Sequence, residues 1–212
     1  MITEPVTLAT DYALAAVCLW AGARLYMKSE HQRSRAFWGA ACLALGFSAL
    51  LGGTYHGFQQ SIPNFAASWL WKFTVLLIGL ASFCMLAGSA TATTAGPLRK
   101  GIFVFAIAKL VAYEGWMLRH DQFVWAIVDT ASTMAVVLAL HAVRHRAPGS
   151  HWILAGVAAS AAAALAQSSG LDLHEHFNHN DLYHIVQIAA IALFYRGAAT
   201  ILDWSSPTAA TT

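Results

Sequence analysis

The amino-acid sequence predicts an all-α integral membrane protein, folded as a bundle of seven transmembrane helices. Only 10% of its 212 residues are charged and 58% are hydrophobic, whereas a soluble domain usually carries about 25% charged residues. Seven apolar segments are long enough to cross a hydrocarbon core of about 30 Å, which requires roughly 20 helical residues. The net charge of +2 gives no indication of nucleic-acid binding.

The seven predicted helices follow one another with short connections. The gaps leave no room for a second domain, so residues 1–204 are predicted to form a single transmembrane domain and residues 205–212 a short disordered tail. Cys18, Cys42 and Cys84 lie inside apolar segments without metal-ligand spacing, and we expect them in the core. In chain order, the predicted helices span residues 8–27, 36–55, 68–90, 98–118, 122–143, 151–167 and 181–203.

The distribution of basic residues predicts the orientation of the bundle. Lys and Arg concentrate in cytoplasmic loops of membrane proteins. Here the connections after helices 2, 4 and 6 hold only Arg119 between them, so the N-terminus is predicted outside and the C-terminus in the cytoplasm. No basic region precedes the first helix, which we expect to remain as a helix in a bacterial inner membrane. The alternate connections hold Lys28, Arg33, Arg35, Arg99, Lys100, Arg144 and Arg146.

Polar residues recur in the predicted outer half of every helix. Ionisable groups inside a bilayer are unfavourable and are usually kept for function or for a specific pairing. Only Lys109, in the middle of the fourth helix, clearly departs from this placement. We therefore infer one polar cavity near the outer surface. The residues that suggest it are Asp11, His56, Lys72, Glu114, Asp129, Gln167, Asp181 and His184.

A histidine-rich segment, residues 173–184, leads into the last helix. Its first two histidines, His174 and His176, are expected in an exterior loop. Asp181 and His184 are three residues apart and share a helix face, so Asp181 either orients the His184 ring or acts as a co-ligand. The alternative is that Asn180 or Asp181 only caps the helix.

His179 is five residues before His184, which suits two ligands only if the helix starts between them and the loop folds His179 back. Converging neutral imidazoles are typical metal ligands, and catalytic zinc takes three protein ligands and one water. The acids Glu114 and Asp129 could act as general acid and base. They could equally form structural ion pairs with Lys72 or Lys109.

A second motif, residues 52–58, places His56 at the end of the second helix behind Gly52 and Gly53, which allow close approach of another backbone or a ligand. Together with the seven helices, the segments ending at His56 and His184 resemble the CREST superfamily of membrane hydrolases. This group includes alkaline ceramidases and adiponectin-receptor-like proteins. The resemblance implies a zinc ion held by one histidine from helix 2 and two from helix 7.

This sequence departs from that family pattern at three positions. Gly52 stands where the family has a serine, Asn180 where it has the first histidine of helix 7, and Lys72 lies in a region where an aspartate is expected. Only His56 and His184 match residue for residue.

The leading hypothesis is a zinc-dependent hydrolase of a lipid amide or ester. His56 and His184 are ligands, with His179 or else Asp181 as the third. The zinc-bound water is the nucleophile, and Glu114 or Asp129 moves the proton. The alternative is a non-enzymatic transporter, sensor or scaffold with a proton- or ligand-linked network of buried polar groups. Haem ligation by facing histidines ranks last.

Overall fold

The computed structural model describes residues 2–170, 172–174 and 177–204, and seven α-helices lie within them. The number and order of these helices agree with the sequence prediction. The predicted disordered tail, residues 205–212, and His176 lie outside the described residues. The helices are α1 (Pro5–Met27), α2 (Arg33–Phe58), α3 (Asn64–Thr93), α4 (Gly96–Met117), α5 (Val124–Val143), α6 (Ser150–Ser168) and α7 (His179–Thr200).

Six of the helices form a closed ring, and α4 lies outside it. Neighbours around the ring are α1, α2, α3, α5, α6 and α7, and α7 returns to contact α1. Helix α4 packs on α3 and touches α5. The ring brings the first and last helices together, so residues separated by most of the chain share one interface.

The interior of the ring is filled by small and apolar side chains. Trp38 and Phe194 are fully buried against each other, with ring centroids 5.2 Å apart. The three cysteines are buried and unpaired, as predicted. Many large apolar side chains are instead exposed on the outside of the helices, including Trp20, Phe105 and Val111. Such an exterior suits lipid contact.

Five of the described helices, α1, α2, α3, α5 and α7, are long and apolar enough to cross a membrane. The remaining two, α4 and α6, are more polar or less apolar along their length, each for its own reason. Helix α4 carries Arg99, Lys100, Lys109 and Glu114, and α6 has only 19 residues, many of them alanine. The apolar helices fit an integral membrane protein. Seven crossings and the direction of insertion stay predictions.

The last helix ends earlier than predicted, because Asp203 lies outside it and caps the start of α2. Helix α7 ends at Thr200, not at residue 203. The Asp203 carboxylate accepts hydrogen bonds from the backbone N–H groups of Arg33 and Ser34, at 2.9 and 2.8 Å. These are two of the donors that the first turn of α2 leaves unsatisfied. The acid therefore stabilises the start of α2.

Candidate functional site

A close contact between α1 and α2 begins at the glycine pair predicted to allow it. A Cβ added at Gly53 would lie 2.7 Å from the Cβ of Asp11 and 3.0 Å from Cδ1 of Tyr12. Real Cβ atoms essentially never approach that closely. The element that approaches Gly53 is thus α1, which carries the buried Asp11, whereas the nearest side chain to Gly52 is Thr74 of α3.

The other side of Asp11 faces α7. His184 Nε2 lies 3.2 Å from Asp11 Oδ1, and His184 Nδ1 lies 3.0 Å from the Thr10 hydroxyl. Both ring nitrogens of His184 are therefore engaged by side chains of α1. The two side chains of the acid–histidine pair are only 7% and 10% exposed. This cluster of Thr10, Asp11, Asp181 and His184 is called the α1–α7 polar cluster below.

Asp181 joins the cluster through Thr10 and not by touching His184. Its Oδ1 accepts a hydrogen bond from the Thr10 hydroxyl at 3.4 Å, and its Oδ2 accepts one from the backbone N–H of Asn178 at 2.8 Å. Asn178 is the N-cap of α7 and accepts from the backbone N–H groups of Asn180 and Asp181, which completes a capping box. The predicted cap at Asn180 or Asp181 is thus corrected to Asn178, and Asp181 supports the cap while its other oxygen faces α1.

Counting protons limits how the cluster can be charged. Thr10 has one hydroxyl proton, and a neutral imidazole carries one proton on either Nδ1 or Nε2. If His184 Nδ1 is protonated, it donates to Thr10, whose hydroxyl is then free to donate to Asp181 at 3.4 Å or to the Thr7 carbonyl at 3.1 Å. His184 Nε2 then faces Asp11 either as imidazolium against carboxylate or as bare nitrogen against carboxylic acid. If Nδ1 is bare, Nε2–H donates to Asp11. One proton lies between Asp11 and His184 in every arrangement.

His56 lies at the same end of the bundle but has a different acidic partner. Its Nδ1 is buried and lies 3.2 Å from Glu4 Oε2, but the geometry of this contact is not that of a hydrogen bond. The ring borders a cleft of about 530 Å³ between α2 and α3. The residues that line this cleft are Tyr55, His56, Gln59, Asn64, Ala67, Ser68, Trp71 and Asp121.

His179 does not turn toward His184. Helix α7 begins at His179 and not between the two histidines, so their five-residue spacing directs them to different faces. His179 Nδ1 instead lies 3.1 Å from Asp172 Oδ1, and the Asp172 carboxylate is 60% exposed. The hydrogen bonds from His179 hold the pKa of Asp172 below its usual value.

These positions do not fit a shared zinc ion. The three histidines predicted as ligands each face a separate carboxylate, which is Glu4 for His56, Asp172 for His179 and Asp11 for His184. In the part of the chain that the structure describes, no group of three His, Cys, Asp or Glu residues is placed to hold a metal ion. The arrangement therefore gives zinc ligation no support, and no catalytic step is derived from it.

The two acids predicted to move protons, Glu114 and Asp129, lie on the opposite side of α3. Asp129 forms an ion pair with Lys109, whose ammonium also donates to the Asp129 carbonyl at 2.8 Å. Glu114 packs against Gly79, and a Cβ added at Gly79 would lie 2.6 Å from the Glu114 carboxylate oxygen Oε1. Of the two alternatives for Asp129, the ion pair with Lys109 is therefore the one observed.

Lys72 belongs to this second group as well. Its ammonium pairs with the Asp121 carboxylate and donates to the carbonyls of Met117 and His120, at 2.7 and 2.9 Å. It thereby satisfies backbone acceptors at the end of α4. The predicted single cavity is thus divided into one cluster on α1, α2 and α7 and another on α3, α4 and α5.

One protein family matches nearly the whole helical part of the chain. Residues 6–203 match a family described as "Family of unknown function (DUF6962)". The chain belongs to this family. No curated protein and no solved structure matches it. The match covers all seven helices, including both residues of the Asp11–His184 pair and Asp203.

Three residues around His184 and His56 were not predicted from the sequence, namely Glu4, Thr10 and Asn178. Thr10 adjoins Asp11, and the two reach the same ring of His184 through its opposite nitrogens. A signal for Thr10 was available, because a hydroxyl beside an intramembrane acid is a natural hydrogen-bond relay. For Glu4, nothing in the sequence indicated that the chain start would lie beside His56.

Proposed function

We propose that this chain is an integral membrane protein whose α1–α7 polar cluster binds a proton and links it to the packing of α1 against α7. It would act as a proton-linked sensor or transporter. The observation that supports this proposal is the engagement of both His184 nitrogens by α1, with Asp11 on one and Thr10 on the other. A buried group with these partners changes its interactions whenever the proton count changes.

Protonation can act on helix packing because the cluster forms much of the polar contact between the two helices. Adding a further proton to the Asp11–His184 pair sets an imidazolium against a carboxylic acid, so a charge-assisted contact is replaced by a weaker one. Removing the shared proton leaves a bare nitrogen against a carboxylate, which is also unfavourable in a low-dielectric site. The observed contact therefore requires one proton between Asp11 and His184, and either change weakens it.

The zinc-hydrolase hypothesis receives less support from the same residues. It requires His56 and His184 to share one ion with His179 or Asp181, and each of the three histidines faces its own carboxylate. The relation to the CREST superfamily and a membrane-lipid substrate accordingly rest on the sequence resemblance alone. The proposed site lies at the end of the bundle that the basic loops place outside a bacterial inner membrane.

A pulsed electron resonance measurement tests the proton linkage directly. Spin labels are attached at Ala9→Cys on α1 and Ile185→Cys on α7, both exposed positions next to the cluster. The native cysteines are buried, so the folded protein is labelled at the introduced sites only. In nanodiscs, we expect the distance distribution to change between acidic and mildly alkaline pH.

The variant Asp11→Asn/His184→Gln keeps polar side chains of similar size and removes the titrating pair, so the change with pH is expected to disappear. His120→Gln is the matched control, because His120 is half-buried and stacks on Trp116 outside the cluster. The proposal fails if the parent protein gives one distribution at both pH values, or if the double variant responds as the parent does. Stoichiometric zinc in the purified protein, lost in His184→Gln, would instead favour the hydrolase.

A further inference from the structure

A second site lies at the opposite end of the bundle from His184. There a cavity of about 220 Å³ lies between the ends of α3, α5 and α6 and the segment that follows α7. It is partly open, because the lining residues Pro148 and Leu202 are exposed. Six of its eight lining residues are apolar. The lining consists of Ala92, His141, Ala147, Pro148, Ser150, Ile201, Leu202 and Trp204.

Two hydroxyl groups hold the only histidine in this lining. His141 Nδ1 lies 2.9 Å from the Ser150 hydroxyl, and His141 Nε2 lies 3.3 Å from the Ser89 hydroxyl. All three residues are at most 1% exposed. Because a neutral imidazole donates once and accepts once, both nitrogens are satisfied by the two serines. Ser150 keeps unused hydrogen-bonding capacity and lines the cavity.

The wall formed by the segment after α7 is firmly anchored. The backbone N–H of Trp204 donates to the Thr91 carbonyl at 2.9 Å, and Arg99 donates to the Trp204 carbonyl at 2.6 Å. Arg144 stacks over the Trp204 ring at 3.4 Å. With Asp203 bound to the start of α2, this segment is fixed to four helices, α2, α3, α4 and the end of α5.

Water is a poor occupant of such a cavity. A buried water molecule needs two to four polar partners, whereas the lining side chains offer only the Ser150 hydroxyl and the Trp204 indole N–H beside the serine-bonded His141. A cavity of about 150 Å³ accommodates benzene, so 220 Å³ has room for roughly eight to ten non-hydrogen atoms. The chemistry therefore favours an apolar body with a single neutral polar group.

We propose that this cavity binds a small neutral amphiphile, such as a medium-chain alcohol, whose hydroxyl bonds to Ser150. The apolar body would contact Ala92, Leu202 and Trp204. Arg99 and Arg144 are occupied by carbonyl and ring contacts, and the serine-bonded His141 offers no charge. A neutral ligand is therefore preferred over a carboxylate.

Photolabelling of the full-length protein in nanodiscs tests the site. The probe is a primary alcohol of eight carbons that carries a diazirine, and labelled peptides are identified by mass spectrometry. We expect saturable labelling within residues 147–150 and 201–204 that unlabelled 1-octanol removes and octane removes less well. Ser150→Ala is expected to weaken competition by octanol about fivefold, as loss of one neutral hydrogen bond predicts.

Ala92→Leu fills the cavity and is expected to abolish this labelling. Because it adds apolar volume to an existing space, it tests binding even if Ser150→Ala disturbs His141. The matched control is Ala189→Leu, the same change at an exposed position on α7. Labelling that does not saturate, that survives Ala92→Leu, or that octanoate competes while octanol does not would overturn the proposal.

Discussion

Replacing Gly53 with alanine tests the closest helix contact of the candidate site. The new methyl group would stand 2.7 Å from the Asp11 Cβ and 3.0 Å from Tyr12 Cδ1. Neither the methyl group nor the Asp11 Cβ can rotate away, so α1 must move from α2. Overpacking of this kind typically costs about 1–3 kcal/mol in the free energy of unfolding. The same movement would displace Asp11 from His184.

Gly115→Ala is the matched control, because no atom lies within 4 Å of the position that its Cβ would take. Gly115 is also inside a helix, where alanine is favoured over glycine by roughly 0.5–1 kcal/mol. The two substitutions are chemically identical and are expected to change stability in opposite directions.

A thiol-reactive dye measures both variants without added labels. Cys18, Cys42 and Cys84 are buried and free, so they react when heating unfolds the protein. At about 2–4 °C per kcal/mol for a chain of this size, Gly53→Ala should lower the midpoint by about 2–12 °C. Gly115→Ala should leave it unchanged or raise it slightly. Equal midpoints for the two variants would refute the close-contact argument.

Two further substitutions separate a half-buried acid contact, at Asp203, from an exposed one, at Asp172, in the same thermal assay. Asp203→Ala removes the acceptor for two N–H groups of α2 and should cost about 0.5–2 kcal/mol, as loss of a helix cap does; an unchanged midpoint would mean that water replaces the cap. Asp172→Asn should lower the midpoint at neutral pH only slightly, because the carboxylate is 60% exposed. Since His179 lowers the pKa of Asp172, the contact contributes above the usual value of 3.8 and is lost as the pH falls below it. A midpoint difference between Asp172→Asn and the parent that grows on acidification would contradict this sign.

The number of helices and their order along the chain could be predicted from local properties of the sequence. The length of an apolar run and the turn residues that flank it act over a few residues, so all seven helices were predicted in order. The close approach at Gly53 was also predicted, since a missing side chain is visible in the sequence. The boundaries of α7 were wrong at both ends, because Asn178 and Asp203 act through hydrogen bonds that a run of apolar residues does not reveal.

The partners of the site residues depended on contacts between distant parts of the chain. Asp11 and His184 meet only because α7 closes the ring against α1. His179 turns to Asp172 because α7 starts one residue earlier than a shared ligand site would require. The pairing of Asp129 with Lys109 likewise depends on the position of α4 outside the ring.

The sequence by itself determined that the chain is helical and apolar, and that His184 lies near the start of the last helix with an acid three residues before it. Only the tertiary structure decided which groups surround His184. Periodicity specifies which residues share a helix face, but the choice of neighbouring helix is made by the packing of the whole ring. For His184 that neighbour is α1, so its partners are Asp11 and Thr10 in place of His56.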